Sequence, residues 1–343
     1  MKEALYFTVT SHERKELRCF LCPHRCLLVE GKTGICRVRK NEQGKLSSLI
    51  YGKVTSLAMD PVEKKPLYHF HPGENIFSLG TIGCNLSCQF CQNWEISQKS
   101  PDDIPAQKIT PEEVVRLTKE NNSFGIAYTY NEPLVNYEFV LETAKLARQN
   151  GLKNVLVTNG YIEEQPLENL LPFIDAANVD VKSFRDDFYK KVCGGRLSFV
   201  LRSVEIMFRR KIHLEITNLL IPKQNDSEEE IADLVDWLSA LNKDIPLHFS
   251  RYFPCYKMQI DPTSFSVLER ARKVALQRLN FVYLGNALEQ EYSNTYCPAA
   301  DCRELLIERQ GYKTRIVGLQ ANICRKCGQE INLVREVEDG GRN

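Results

Sequence analysis

Three cysteines constrain this chain more than any other feature. Cys84, Cys88 and Cys91 sit in Thr81-Ile-Gly-Cys-Asn-Leu-Ser-Cys-Gln-Phe-Cys-Gln-Asn93. The C-x3-C-x2-C spacing lets one short loop wrap one inorganic centre. Soft thiolates select iron–sulfur clusters, zinc or copper(I). A [4Fe–4S] cluster ordinarily takes four cysteines, so a loop that offers three leaves one iron without a protein ligand. An open coordination position is what a metal needs for chemistry rather than for structure alone. The rival reading is a structural zinc knuckle, but no fourth Cys or His follows nearby to close one.

The chain holds 13 cysteines, and most fall in groups. In a reducing compartment such numbers argue for metal ligation rather than disulfides. Cys19, Cys22, Cys26 and Cys36 form an N-terminal group, with Gly31 and Gly34 able to supply tight turns. Zinc or a second iron–sulfur cluster would fit there, and His24 could replace one cysteine as ligand. Cys297, Cys302, Cys324 and Cys327 form a C-terminal group spaced C-x4-C-x21-C-x2-C. That pattern is zinc-like: two knuckles joined by a hairpin, as in a zinc ribbon. Cys324-Arg-Lys-Cys327-Gly is a well-formed knuckle, and the first, with Pro-Ala-Ala-Asp between its cysteines, is looser. Structural zinc contributes about 10–16 kcal/mol of apparent folding free energy. Cys193 and Cys255 stand alone and read as ordinary buried or loop thiols.

With 343 residues, 43% hydrophobic and 26% charged, the chain has the composition of a soluble globular protein of one large or two modest domains. A net charge of +1 provides no global field to steer a polyanion. No apolar run approaches the roughly 18 residues of a membrane span. The first residues lack the apolar core of a signal peptide, so a cytoplasmic protein without membrane contact is expected. A nucleic-acid-binding zinc ribbon is the non-enzyme alternative. Arg303, Arg309, Lys313, Arg315, Arg325 and Lys326 would form its basic patch, but Glu304, Glu308 and Glu330 interleave with them, which favours a mixed solvated surface.

The middle of the chain alternates strand-like and helix-like runs. Strands are predicted near 76–82, 124–129, 153–158, 177–182, 212–221 and 246–252. Thr110-Pro-Glu-Glu113 and Ser227-Glu-Glu-Glu230 read as capping boxes that start helices. After the second, Ile231, Leu234, Val235, Leu238 and Leu241 fall on one helical face. A helix near 134–150 stops at Gly151. Six repeats of about 35 residues each predict a parallel sheet with right-handed crossovers. A full eightfold barrel typically needs about 250 residues, so the expectation is an α/β fold with a partial, TIM-like (βα)6 barrel. The predicted organisation is an N-terminal cysteine-rich segment at 1–75, the barrel at 76–288 and a zinc-ribbon-like segment at 289–343. Polar residues alternate along three strands: Asn178, Asp180 and Lys182; His213, Glu215 and Thr217; His248 and Ser250. The outer face of a parallel barrel packs on helices, so these sets are expected to line a polar interior cavity.

Taken together, these motifs resemble the radical S-adenosylmethionine (SAM) family that includes pyruvate formate-lyase-activating enzymes. The similarity is greatest to the AmmeMemoRadiSam system radical SAM enzymes. It rests on Cys19-Phe-Leu-Cys-Pro-His-Arg-Cys26, Asp60-Pro-Val-Glu-Lys-Lys-Pro-Leu-Tyr-His69, the cluster loop with Gln92-Asn-Trp-Glu-Ile-Ser97, and Tyr128-Thr-Tyr-Asn-Glu-Pro133. Leu219-Leu-Ile-Pro222 with Asn225-Asp-Ser227, Pro246-Leu-His-Phe-Ser-Arg-Tyr-Phe-Pro254, Tyr283-Leu-Gly-Asn286 and the C-terminal cysteines extend it over nearly the whole chain.

The resemblance implies a radical SAM barrel whose Cys84, Cys88 and Cys91 ligate a [4Fe–4S] cluster, with SAM on the open iron. It implies reductive SAM cleavage and hydrogen abstraction from an unidentified substrate. Phe90 would pack near the adenine. Tyr130, Asn131 and Glu132 stand where the family has Gly-Gly-Glu, so Glu132 would meet the SAM amino group. Thr158, Asn159, Asp180, Glu215 and Asn218 are the further candidate cofactor-binding residues, and Lys182 and His248 the candidate catalytic ones. Val157 stands where a carboxylate of the family's cation site is expected, which argues against that site. The implied partners are a flavodoxin- or ferredoxin-like reductant and Memo/AMMECR-type proteins; a glycyl-radical protein substrate is the alternative.

Overall fold

Strand and helix alternate through the middle of the chain, as the repeat length predicts, and the computed structural model describes residues 2–287 and 290–335. Two units are distinguished: residues up to Asp60 with Ile76–Leu214 and Pro254–Gln259 form one, and Pro61–Asn75, Glu215–Phe253 and Ile260 onward the other. The barrel segment predicted at 76–288 contributes to both, and its boundary at 288/289 lies outside the described residues.

The first unit opens with small antiparallel pieces. Strands β1 (Phe7–Ser11), β2 (Glu16–Cys19) and β3 (Leu27–Leu28) form one sheet, and β4 (Arg39–Glu42) and β5 (Lys45–Ser48) belong to another. Its core is parallel: β6 (Asn75–Gly80), β7 (Gly125–Tyr128), β8 (Lys153–Thr158) and β9 (Ala176–Asp180) pair in chain order. All of β7 and five of the six residues of β6 are buried, the pattern of strands covered on both faces. The intervening helices are α1 (Pro111–Glu120), α2 (Tyr137–Gln149), α3 (Glu164–Leu170) and α4 (Leu197–Arg209). Thr110 caps α1 through the expected reciprocal pair: its hydroxyl accepts from Glu113 N–H at 3.2 Å, and its N–H donates to the Glu113 carboxylate at 2.8 Å. Gly151, with φ +75°, follows the end of α2.

The second unit carries β10 (His213–Leu220, which begins in the first), β11 (Leu247–Arg251) and β12 (Val282–Gly285), again parallel in chain order. Helices α5 (Glu228–Asn242) and α6 (Phe265–Ala275) connect them, and Ile231, Leu234, Val235 and Leu238 of α5 are buried. The strand at Val282–Gly285 adds a seventh to the six predicted. It is only four residues long and ends at a glycine, so it leaves little alternation to read. Beyond it, β13 (Thr295–Tyr296), β14 (Leu305–Gln310) and β15 (Lys313–Ile316) form an antiparallel sheet, followed by the hairpin of β16 (Leu319–Gln320) and β17 (Ile323–Cys324). No helix among the described residues is long and apolar enough to cross a membrane.

One buried ion pair ties the N-terminal pieces to the parallel core. Arg39 is 1% exposed, and its guanidinium donates to both Glu138 oxygens at 3.0 and 3.1 Å. Leu5 N–H donates to the same carboxylate at 2.8 Å, and Arg39 donates to Leu5 O. Removing one member of a buried pair leaves the other uncompensated. Arg39→Met is therefore expected to lower unfolding free energy by about 3–5 kcal/mol in urea melts, and Arg39→Met with Glu138→Met to recover most of the loss.

Candidate active site

The predicted residues of the first unit gather beyond the C-terminal ends of its four parallel strands, where sites of α/β folds lie. The three-cysteine loop leaves β6 at Gly80, Tyr130-Asn-Glu132 follows β7, Thr158 and Asn159 close β8, and Asp180 ends β9 with Lys182 just beyond.

Side-chain amides hold the loop. Asn131 accepts from Thr81 N–H at 2.9 Å and donates to Gly83 O at 2.7 Å. Asn159 donates to Asn85 Oδ1 at 2.9 Å, with Cys84 Sγ at 3.5 Å. Asn85 donates in turn to Tyr161 O at 2.6 Å, and Leu86 N–H points at Cys84 Sγ at 3.3 Å. The donor set fits a cluster: three thiols from one loop, with backbone and amide N–H groups turned toward Cys84.

Tyr130 and Asn131, at the place where the resemblance implies two glycines, make a tight turn. Tyr130 keeps a left-handed φ of +72°, which glycine would adopt freely. Its ring lies over Gly80, where an added Cβ would come within 2.7 Å of Tyr130 Cδ2, and its hydroxyl donates to Asp60. The bulk thus points back along β6.

Glu132 is 3% exposed. Its Oε1 accepts from Thr158 Oγ1 at 2.8 Å and Leu134 N–H at 3.1 Å, and its Oε2 accepts from Asn159 N–H at 2.8 Å. Burial pushes its carboxyl up to about 7, and those hydrogen bonds oppose the rise. Lys182 Nζ bonds Asp180 at 2.9 Å and lies 6.0 Å from the centre of the buried Phe90 ring. Burial opposes the Lys182 charge, but Asp180 and the thiols of Cys88 and Cys193 outweigh it and raise its pKa well above the ordinary value.

Two cysteines read as ordinary thiols lie against the loop. Cys193 is fully buried, and its thiol beside Cys88 lowers the Cys88 pKa against the effect of burial. Its carbonyl accepts from Ser87 N–H at 2.8 Å. Cβ atoms added at Gly194 and Gly195 would meet Ser87 Oγ at 2.4 Å and Leu86 at 2.7 Å. The Gly-Gly of Val-Cys-Gly-Gly195 was the available signal, since it permits close backbone approach. Cys255 donates to Cys91 O at 3.5 Å, and Tyr256 stacks on Trp94 with 5.2 Å between ring centres.

In the second unit, His248 and Glu215 form a buried pair at 2.7 Å. Glu215 also accepts from Tyr68 N–H at 2.9 Å and His69 N–H at 2.7 Å. His69 Nε2 lies 2.7 Å from Tyr283 Oη. Asn218, on the same strand as Glu215, is 3% exposed.

Residues 79–235 match the model of the Radical SAM superfamily. Over 97% of its length the chain is 44% identical to the whole of an uncharacterized protein, MJ0808, of Methanocaldococcus jannaschii. The chain belongs to the radical SAM superfamily. Over 166 residues it is 26% identical to the pyruvate formate-lyase-activating enzyme of Clostridium pasteurianum, covering 45% of this chain and 65% of that one. A solved domain of pyruvate-formate lyase-activating enzyme from Bacteroides vulgatus covers 47% of this chain and 99% of its own at 19% identity, with a TM-score of 0.42. The superfamily match at residues 79–235 and the activase relatives make the protein a radical SAM enzyme related to glycyl-radical activases, and the superfamily implies a [4Fe–4S] cluster and SAM.

The C-terminal cysteines make a different kind of site. All four Sγ atoms lie within 4.8 Å of one another, with Cys297 and Cys327 at 3.5 Å and Cys302 and Cys324 at 3.7 Å. A tetrahedron with Zn–S bonds of about 2.3 Å places its sulfurs about 3.8 Å apart, so the spacing of these thiols suits a single tetrahedral ion such as zinc. Cys324→Ala with Cys327→Ala is expected to lose one zinc per chain by elemental analysis while keeping the iron of the catalytic loop. Full zinc retention would refute the ribbon.

Proposed function

We propose that this protein cleaves SAM reductively and abstracts hydrogen from an unactivated C–H bond. The observation that carries this reading is the amide-held loop of Cys84, Cys88 and Cys91, set against Glu132, Thr158 and Asn159 at the strand ends. When bound and reduced, the cluster supplies the electron that cleaves SAM to methionine and a 5′-deoxyadenosyl radical. The chain's own residues bind and orient. A carboxylate offers about four acceptor positions. Glu132 uses three on Thr158, Leu134 and Asn159, and the fourth, on Oε2, is assigned to the SAM amino group. Phe90 is assigned to the adenine, and Asp180 with Lys182 to the polar wall beside it.

Glu215, Asn218 and His248 are assigned to a polar site in the second unit, where His248 Nε2 lies 2.7 Å from the Glu215 carboxylate. The substrate partner is assigned to the Memo/AMMECR type, on the motif match at Tyr130-Asn-Glu-Pro133 and the accessory cysteines. The activase relatives favour a second reading, glycyl-radical formation on a protein. A flavodoxin- or ferredoxin-like protein is assigned as reductant and the cytoplasm as compartment. The nucleic-acid alternative loses support: Arg309 is buried, and Arg315 and Lys326 pair with Glu308 and Glu304.

The test is anaerobic reconstitution followed by detection of 5′-deoxyadenosine. Wild type is expected to form it, and single alanine variants at Cys84, Cys88 or Cys91 to form none. Product from those variants would refute the assignment. SAM affinity also has an expected pH dependence. Glu132 is protonated below about 7, and a protonated carboxyl loses an acceptor position that the SAM amino group would use. Kd should therefore rise by up to about tenfold per pH unit as pH falls below 7, and Glu132→Gln should flatten that slope in equilibrium titrations.

A further inference from the structure

The segment Pro254–Gln259 belongs to the first unit and folds onto the exit of the three-cysteine loop. Lys257 N–H donates to Gln89 O at 2.9 Å. Cys255 and Met258 close a tight turn, each N–H donating to the other's carbonyl at 3.1 Å. Within that turn Tyr256 takes a left-handed φ of +55°. A bulky residue stays in that region only where its surroundings hold it, and such outliers gather at functional surfaces. What the turn secures is a stack: the Tyr256 ring lies on Trp94, with 5.2 Å between centres and 13° between planes. Trp94 is the third residue after Cys91 and opens the helical turn Trp94–Ser97. Ile96 O in that turn accepts from Gly83 N–H at 2.8 Å, just before Cys84. The stack is therefore tied to both ends of the loop.

The same place is cationic. Lys99 Nζ lies 5.0 Å from the centre of the Trp94 ring, and Lys257 Nζ 5.1 Å from that of Tyr256. Both lysines are exposed, and neither takes part in an ion pair among the described residues. Lys190 and Lys191, whose segment meets the loop through Gln89, are by contrast paired with Asp186 and Asp187. Glu95 is the single acid between Cys84 and Ser100. Ser87, Gln92 and Asn93 are exposed and uncharged, and Cys91 is half-buried. The loop thus reaches solvent beside a small aromatic patch and two ammonium groups without acidic partners.

A carrier that hands over one electron must come close to the group the loop holds, so it docks where the loop reaches solvent. A small aromatic centre with a charged rim suits a weak, transient encounter, and the ammonium groups select an acidic partner and speed its arrival. Each ring is already met by the other ring and by an ammonium, so neither offers the free face on which a nucleic-acid base would stack. We propose that Trp94, Tyr256, Lys99 and Lys257 form the docking surface for an acidic one-electron carrier of the flavodoxin or ferredoxin class. The proposal rests on reading the loop of Cys84, Cys88 and Cys91 as the SAM-cleaving site. The reduced carrier loses one electron, the group held by the loop gains it at the Cys91 side, and no bond or proton changes hands at the surface.

The test uses full-length, anaerobically reconstituted protein, titrated calorimetrically with a flavodoxin and separately with a ferredoxin. At least one should bind, with Kd rising about tenfold or more between about 50 and about 500 mM salt. Lys99→Glu with Lys257→Glu should weaken that binding about tenfold or more at the lower salt. It should slow 5′-deoxyadenosine formation from the reduced carrier by a like factor and leave the rate from dithionite unchanged. Binding of neither carrier overturns the proposal, as does unchanged affinity in the double variant. Equal loss of rate with carrier and dithionite ties the lysines to the loop rather than to docking and also overturns it. No 5′-deoxyadenosine from wild type with dithionite overturns the reading of the loop instead, and the titrations still decide the surface. Should the charge-reversed variant not fold, Lys99→Gln with Lys257→Gln and the salt series on wild type decide, and salt-insensitive binding overturns the proposal.

Discussion

The structure of the first unit depends on one constraint: a loop without regular secondary structure must hold three thiols still. Such a loop cannot pair all of its own backbone groups, and buried groups left unpaired are costly. Asparagine side chains solve both problems, because an amide donates and accepts at once. Asn131 takes the Thr81 N–H and the Gly83 carbonyl, fixing the turn that launches the loop. Asn85 and Asn159 bond one another and continue the support to Cys84 and to the end of β8. Glu132 then joins the Thr158 hydroxyl to the Asn159 N–H, so the residue assigned to SAM also braces the loop's support.

That arrangement explains how Tyr130 and Asn131 can stand where the resemblance implies two glycines. The backbone retains the left-handed turn, and the side chains acquire work. Asn131 becomes a bracket for the loop, and Tyr130 reaches back over Gly80 to Asp60. The glycine freedom is moved rather than lost. Gly80 makes room for the ring, and Gly194 and Gly195 let a distant segment approach Ser87 and Leu86.

The legible part of this chain was its periodic part. Strand positions at 153–158 and 212–221, the cap at Thr110 and the buried face of α5 follow local rules of alternation and hydrogen bonding, and the structure carries them. The cysteine loop was legible because metal spacing is written in consecutive residues. Val282–Gly285 was too short to declare itself a strand. Cys193 and Cys255 could not be placed, since their contacts with Cys88 and Cys91 join residues more than a hundred positions apart, and nothing local marks either thiol. The Arg39–Glu138 pair is hidden for the same reason: in sequence each is one charge among many.

The second unit shows that the C-terminal cysteine segment is more than an appended ribbon. Arg309, on β14 between the two knuckles, is 1% exposed, donates to Tyr68 O at 2.7 Å and Thr295 Oγ1 at 2.9 Å, and lies 3.6 Å from the buried Glu63. Tyr68 in turn supplies one of the N–H groups that hold Glu215, and its ring sits edge-on to His248 at 4.7 Å. A buried guanidinium is stable only while its partners remain in place. A metal closed on Cys297, Cys302, Cys324 and Cys327 would therefore do more than fold a ribbon. By holding β14 it would hold Arg309, and through Tyr68 the Glu215–His248 pair. A module with that position cannot be removed without disturbing the polar site, which accounts for a chain that devotes four cysteines and a buried arginine to a segment outside the superfamily match at residues 79–235.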